Sequence, residues 1–240
     1  MAELWKERTL LLLGEEKMQL LESASVAVIG LGGVGAYTAE MLARAGVGNL
    51  ILLDSDDIGE TNKNRQLLAL DSTIGEKKIY LMEKRIKDIN NKVIVTVVEE
   101  FLTPENIGNI LDKYKIDFLV DAIDTLSPKI ALICYCVGSK IPHVSSMGAG
   151  AKLDATKIRI ADISKSFNCP LAYIIRKKLR KYGINKGFKV VFSEELPNRA
   201  SIIPVEEQNK KSQVGTISYL PAVFGCICAQ ATIEYLIEKD

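Results

Sequence analysis

The run Val26-Ala27-Val28-Ile29-Gly30-Leu31-Gly32-Gly33-Val34-Gly35 decides the fold. Its first four residues are apolar and mostly β-branched, which reads as a short buried strand. The glycines that follow permit a tight strand-to-helix turn and let backbone N–H groups come close to a phosphate. Gly30, Gly32 and Gly35 satisfy the G-x-G-x-x-G spacing. A second apolar run, Leu50-Ile51-Leu52-Leu53, ends on Asp54, 24 residues after Gly30, where a carboxylate can hold ribose hydroxyls. Up to this point a nicotinamide-dependent oxidoreductase fits as well as an ATP-using enzyme. Asn62-Lys63-Asn64-Arg65-Gln66 shifts the balance. A hydride donor has no need of these groups, whereas an amide and a guanidinium suit the charged oxygens of a triphosphate.

Outward from this run, strand and helix signals alternate through about the first 150 residues. Residues 33–45 read as a helix closed by Gly46, and 49–54 as the next strand. Over 76–90, Ile79, Leu81, Met82, Ile86 and Ile89 fall close to helical spacing. The β-branched stretch 93–98 reads as a strand. Thr103 and Pro104 look like an N-cap followed by a first-turn proline. Residues 118–121 read as a strand, 128–139 as a helix, and 141–144 as a strand with His143 near its end. This alternation predicts an α/β fold: a doubly wound, mostly parallel Rossmann-like sheet with helices on both faces. Ligands bind at the carboxyl ends of such strands, where Gly30, Asp54 and Asp124 all fall.

After Ser145 the pattern changes. Residues 151–153 and 158–162 read as a hairpin around Asp154-Ala155-Thr156-Lys157, and 171–182 as a strongly basic helix. The polar segment 193–215, with two prolines, reads as a mobile loop. We take residues 1–240 as a single domain with two halves, about 1–147 and about 148–240.

Composition limits the partners. Hydrophobic residues make up 48% and charged residues 25%, enough for an ordinary buried core. Lys plus Arg number 31 against 30 acids, so any contact with nucleic acid must use a local patch. Arg176-Lys177-Lys178-Leu179-Arg180-Lys181, with Lys186 and Lys189 nearby, is such a patch and holds no acid. It reads as an RNA phosphate contact, against the plainer option of a solvated helix face. Tyr173 and Tyr182 beside it could stack on a base or pack in the core. Five cysteines in 240 residues do not form a disulfide framework, which suits a reducing cytoplasm. Cys134 and Cys136, like Cys226 and Cys228, are one residue apart, short of the roughly two to four of structural zinc sites. Cys169 alone falls in a loop segment, near Lys165 and Arg176, and is a candidate reactive thiol. Residues 1–6 lack a signal pattern. The apolar stretch 217–237 is interrupted by Gln230, Thr232 and Glu234, so it reads as a buried helix and no membrane insertion is expected.

The segments Gly30–Gly35, Leu52–Asp57, Thr61–Gln66, Ile74–Lys78 and Asp121–Asp124 together resemble the ThiF/MoeB/HesA superfamily, adenylating enzymes related to ubiquitin-activating E1 proteins. Gly148–Ile158 and Val190–Glu195 are similar to its tRNA threonylcarbamoyladenosine dehydratase branch. The resemblance implies an E1-like adenylation domain that uses ATP and Mg²⁺. By it, Gly30, Gly32, Gly33 and Gly35 cradle phosphate and Asp54 binds ribose. Asn62, Arg65 and Lys78 grip the triphosphate, with Asp56, Gln66 and Asp121 in the same nucleotide site. Asp124 holds Mg²⁺ near the point of adenylyl transfer. Arg8 matches an arginine that family dimers contribute to the partner's active site, which implies a homodimer and completes a catalytic set of Arg8, Arg65, Lys78 and Asp124. The implied substrate is tRNA carrying threonylcarbamoyladenosine, faced by the second half through Arg176, Lys177, Lys178, Arg180 and Lys181. A sulfur-transfer or cysteine desulfurase system is a further implied partner. One departure stands out: relatives often have Asp before Pro-Leu, where Cys169 precedes Pro170-Leu171 here.

The residues fit that chemistry. A carboxylate is already ionised at neutral pH, so its attack on ATP needs no general base. The barrier is electrostatic, and cationic clamps with a metal address it. Each assignment has a plainer alternative. Asp54 could cap a turn, Arg65 could be a surface residue, and Lys77 could replace Lys78. Asp121 could orient its loop or share the metal, and His143 could be structural. Two rival functions remain. An E1-like enzyme acting on the C-terminal glycine of a ubiquitin-like sulfur carrier shares the ATP site, but the missing zinc cysteines and the basic helix weigh against it. An NAD-dependent oxidoreductase or an idle nucleotide-binding module leaves Arg65, Lys78 and Asp124 without a purpose.

Overall fold

The computed structural model describes residues 3–207 and 210–238. Seven strands form one sheet: β1 (Ser25–Ile29), β2 (Asn49–Leu53), β3 (Ile94–Val98), β4 (Phe118–Asp121), β5 (His143–Ser146), β6 (Ile158–Asp162) and β7 (Lys189–Ser193). Their spatial order is β3-β2-β1-β4-β5-β7-β6, with every pairing parallel except β6 against β7. Among the described residues eight α-helices accompany it: α1 (Glu7–Leu13), α2 (Glu15–Ser23), α3 (Gly35–Ala45), α4 (Lys78–Ile89), α5 (Ile107–Leu111), α6 (Leu126–Gly138), α7 (Pro170–Leu179) and α8 (Tyr219–Ile237).

Strand periodicity builds both faces of the sheet. Val26 and Val28 of β1, Leu50 and Leu52 of β2, and Phe118 and Val120 of β4 join one core. There they meet Leu42 of α3, Met82 of α4 and Phe224 of α8. The alternate residues Ala27, Ile29, Ile51, Leu53 and Leu119 face α5 and α6 on the other side. Both sets are buried, which is why these strands are continuous apolar runs rather than alternating ones. The order in which strands are added to the sheet reverses between β1 and β4, which run parallel, and this is the switch point at which doubly wound sheets bind ligands. The doubly wound, mostly parallel α/β architecture expected from the sequence is the one found.

Three local expectations are corrected. Residues 151–153 form no strand; Asp154 instead accepts from the Thr156 amide and caps a short 3-10 turn. β6 finds its partner in β7, more than 25 residues further along the chain. The segment expected as a mobile loop, 193–215, contains an antiparallel pair, β8 (Ile202–Glu207) and β9 (Lys210–Val214). Its base is tied down: the Ala151 amide donates to Gly215 O at 2.8 Å and the Asn198 amide to Ala151 O at 2.7 Å. A two-stranded ribbon outside the main sheet needs no apolar run, so its sequence looked like a loop. The helix expected from Thr103-Pro104 starts only at Ile107, because Asn106 folds back to accept from the Thr103 amide at 2.8 Å.

By length and apolar composition α8 could cross a membrane. Here it packs against α3, with the Thr38 hydroxyl donating to Gly225 O at 3.1 Å, and against β4 and β5.

Candidate active site

The glycine loop leaves β1 at the switch point and enters α3. Gly30 sits at φ 88°, in the left-handed region, and a Cβ there would meet Ala122 O at 3.0 Å. Gly35 abuts the Gly30 carbonyl so closely that any side chain would overlap it. These two contacts bring the end of β1, the start of α3 and the loop after β4 together. The Ala36 and Thr38 amides at the start of α3 bond back to Gly32 O at 3.2 Å and Val34 O at 3.0 Å, and the N-terminal end of the helix dipole forms the positive end of the site. Arg65 lies over this loop: a Cβ on Gly33 would come 3.3 Å from Arg65 O and 3.5 Å from its Cγ. Arg65 Nη1 donates to Thr61 O at 3.0 Å and to Asn64 Oδ1 at 2.8 Å. Gln66 also faces the glycines, and its buried Oε1 has no hydrogen-bond partner among the described residues. Asn62 shapes the approach, its Oδ1 accepting from the Gly59 amide at 3.0 Å.

Asp54 immediately follows β2. It accepts from the Leu31 amide at 2.5 Å and the Asp56 amide at 2.8 Å, which fixes both oxygens beside the glycine loop. Burial pushes its pKa up, against the nearby Lys78 charge and these amide bonds. Each oxygen keeps a lone pair for a ribose hydroxyl. Lys78 is buried and reaches Asp56 Oδ2 at 2.7 Å. Lys77 points elsewhere, pairing with Asp57 at 2.8 Å and Glu99 at 3.5 Å. The geometry therefore favours Lys78 over its neighbour as the cation of this site.

Asp121, at the end of β4, is fully buried. It pairs with Lys129 at 2.9 Å, accepts from Ser145 Oγ at 2.6 Å, and accepts from the Ile123 amide at 3.1 Å. Lys129, also fully buried, donates to Ile123 O at 2.9 Å. So Asp121 orients the loop, and its next residue but two, Asp124, is the exposed carboxylate at the loop's rim. His143 belongs to the same interior. It opens β5 rather than ending it, stacks on Phe188 at 5.0 Å, and its Nδ1 lies 3.0 Å from Ile141 O. Burial lowers its pKa. The structural reading of His143 fits this packing.

Arg8 is not brought to this site within the protomer. It is exposed on α1. Leu10 of the same helix lines a cavity with Gly46, Gly48 and Asn49, at the end of β2 opposite the glycine loop. Lys177 and Lys178 on α7, and Arg180 and Lys181 on the 3-10 turn that follows it, are exposed, but Arg176 turns back, its Nη1 donating to Ser166 O at 2.6 Å. Cys134, Cys136, Cys226 and Cys228 lie on α6 and α8. Cys169 is buried at the start of α7, which does not suit a solvent-reactive thiol. Among the described residues no group of three or more His, Cys, Asp or Glu is placed to hold a metal.

The ThiF family model matches residues 6–240. The chain belongs to the ThiF family. Among its relatives in that family, the tRNA threonylcarbamoyladenosine dehydratase of Bacillus subtilis is 48% identical over 79% of this chain and 74% of its own. The Escherichia coli enzyme of the same name is 40% identical over 99% of this chain and 96% of its own. A crystal structure of that E. coli enzyme, TcdA, in complex with ATP superposes with a TM-score of 0.89 and 35% identity, covering 99% of this chain and 96% of that one.

Two buried lysines, Lys129 behind the site and Lys152 in the second half of the chain, were missed in the sequence. Lys129 lies in an apolar helix with no local sequence sign of its buried pairing with Asp121. Lys152 is buried, with Nζ donating to Ser193 O at 2.8 Å. Burial pushes its pKa down, against Cys169 and Glu195.

Proposed function

We propose that this chain catalyses the ATP-dependent dehydration of threonylcarbamoyladenosine in tRNA through a carboxyl-adenylate. The observation that carries the reading is collinear similarity along nearly the whole chain to an E. coli enzyme of that name, whose structure with ATP has the same fold. The site adds chemical support. Positive groups from three segments, the α3 N-terminus, Arg65 and Lys78, converge beside a buried ribose-type carboxylate, Asp54.

The nucleotide fits this chain's own residues. Glycine at 30 and 35 lets the loop close against Ala122 O and Gly30 O, Gly32 is open but for Gln66 Nε2 at 3.9 Å, and the buried Gln66 Oε1, without a partner among the described residues, awaits a donor. Gly30, Gly32, Gly33 and Gly35 cradle phosphate, Asp54 takes the ribose, and Asn62, Arg65 and Lys78 hold the triphosphate. Lys78 must exchange Asp56 for phosphate oxygen when ATP enters. Asp124 is the carboxylate that fits Mg²⁺, which takes one or two protein carboxylates alongside substrate phosphates. When bound there the metal neutralises charge on the phosphate oxygens. The carboxylate oxygen of the substrate attacks the α-phosphorus and the bond to pyrophosphate breaks. Intramolecular attack on the activated carbonyl then expels AMP, which carries away the original carboxylate oxygen. The nucleoside loses one water overall, and closure depends on positioning more than on a strong catalyst.

The working unit is a homodimer. Arg8 shares an exposed helix face with Leu11 and Leu12, which are 80% and 82% exposed, an apolar surface suited to a second copy. Arg8 then completes the partner's site. The part from about residue 148, with Lys177, Lys178, Arg180 and Lys181, faces the tRNA, while Arg176 braces α7. A tRNA substrate places the protein in the cytoplasm, where a sulfur-transfer system is available as a further partner. The test is ATP–pyrophosphate exchange. Exchange that requires threonylcarbamoyladenosine-bearing tRNA supports the proposal. Exchange that requires a ubiquitin-like carrier with a C-terminal glycine replaces it.

A further inference from the structure

A cavity of about 440 Å³ lies between α6, the turn at Pro104 and the end of α7. Its floor is the apolar side of α6, formed by Ile130, Ala131 and Cys134. Its rim is Lys178, Lys181 and the exposed ring of Tyr182. Neither lysine has an ion-pair partner among the described residues. Ser127 also lines it. Ser127 is three residues beyond Asp124, within about 11 Å of chain reach of that carboxylate.

These features match one nucleotide of a single strand. An unstacked base can lie on an aromatic ring over an apolar floor, while ammonium groups meet its phosphate. Besides the lysines the lining offers only the Ser127 and Tyr182 hydroxyls and the Cys134 thiol, so the cavity has little with which to read a base edge. That favours a strand that stacks and is held by its backbone over a free metabolite chosen by hydrogen bonding. We propose that this cavity seats a nucleotide flanking the modified one, stacked on Tyr182 and held through its phosphate by Lys178 and Lys181. The inference rests on the RNA-modifying reading above. It adds a second grip on the strand, beside the point where the carboxylate is activated.

Cys134 in the floor provides a reporter. Burial pushes its thiol pKa up, so alkylation by N-ethylmaleimide is followed at one fixed alkaline pH by peptide mass spectrometry. Cys226, exposed on α8, is the internal reference. Saturating tRNA that carries threonylcarbamoyladenosine slows Cys134 labelling about tenfold and leaves Cys226 unchanged, whereas AMP alone protects neither. In a separate measurement, Tyr182→Ala weakens tRNA binding about tenfold and Tyr182→Phe keeps it, as stacking requires. Unaltered Cys134 labelling in a verified tRNA complex, protection by AMP alone, or equal tRNA affinity for Tyr182→Ala and the parent overturns the proposal. Nucleosides from the same samples separate the two ideas. Dehydration with Cys134 unprotected removes the cavity and keeps the activity. Protection without dehydration removes the activity and keeps the cavity.

Discussion

Around the glycine loop the charged side chains already hold one another: Asp54 takes two backbone amides, Lys78 pairs with Asp56, and Asp121 with Lys129. Along the end of α7 the opposite holds, and Lys177, Lys178, Arg180 and Lys181 stand exposed without ion pairs among the described residues. The first region spends burial and hydrogen bonds on fixing positions before ligand arrives, as electrostatic preorganisation requires. The second leaves its charge to be neutralised by a partner that brings its own anions. Substitutions in the first region should therefore strike chemistry and stability. Those in the second should strike affinity and its salt dependence.

The largest expected effect is at Asp124. Asp124→Ala should lower dehydration on the order of a thousandfold, by loss of charge stabilisation at the phosphates. Thermal unfolding should be almost unchanged, because the side chain is exposed. Full activity in this variant would remove Asp124 from the site. Next is the buried pair behind it. Lys129→Met strands a buried carboxylate and should cost about 3 kcal/mol in urea unfolding. The double variant Asp121→Asn, Lys129→Met should be less destabilised than the sum of the two singles. Strict additivity would mean that the pair does not act as a unit.

Smaller effects test the other region. Lys177→Ala with Lys181→Ala should weaken tRNA binding about tenfold and flatten the slope of log affinity against log salt, by about 0.7 for each phosphate that is no longer neutralised. Stability should stay within about 0.5 kcal/mol of the parent. An unchanged slope would return α7 to a merely solvated face. The smallest effect concerns His143. Its folded pKa lies below the ordinary 6.5, so in that interval the unfolded chain binds more protons. This contribution is fully present above pH 6.5 and is lost as pH falls toward the depressed folded value. His143→Gln should remove that part of the acid-side slope. An unaltered slope would show that His143 does not titrate on unfolding.

Legibility in the sequence followed the same division. β1, β2 and β4 could be read because strands buried on both faces leave uninterrupted apolar runs, and the glycine loop because its spacing answers a steric need at Gly30 and Gly35. Asp54 and Arg65 could be named by their offsets from the glycine loop, and Lys78 over Lys77 by the family resemblance alone. What could not be read depended on distant partners. β6 pairs with β7 across the intervening helix α7, so residues 151–153, closer in sequence, were the wrong choice. β8 and β9 pair outside the core, where no hydrophobic pattern marks a strand. Lys129 gives no local sign that its ammonium lies under Ile123. Arg176 counted as one cation among five, although a hydrogen bond to Ser166 sets it apart.

The most direct test of the account is nucleoside mass spectrometry after incubating threonylcarbamoyladenosine-bearing tRNA with the protein, ATP and Mg²⁺, under mild work-up that keeps a cyclic product closed. The account predicts loss of one water from that nucleoside, dependent on ATP and absent with Asp124→Ala. An unchanged nucleoside, with ATP and tRNA both shown to bind, would contradict it.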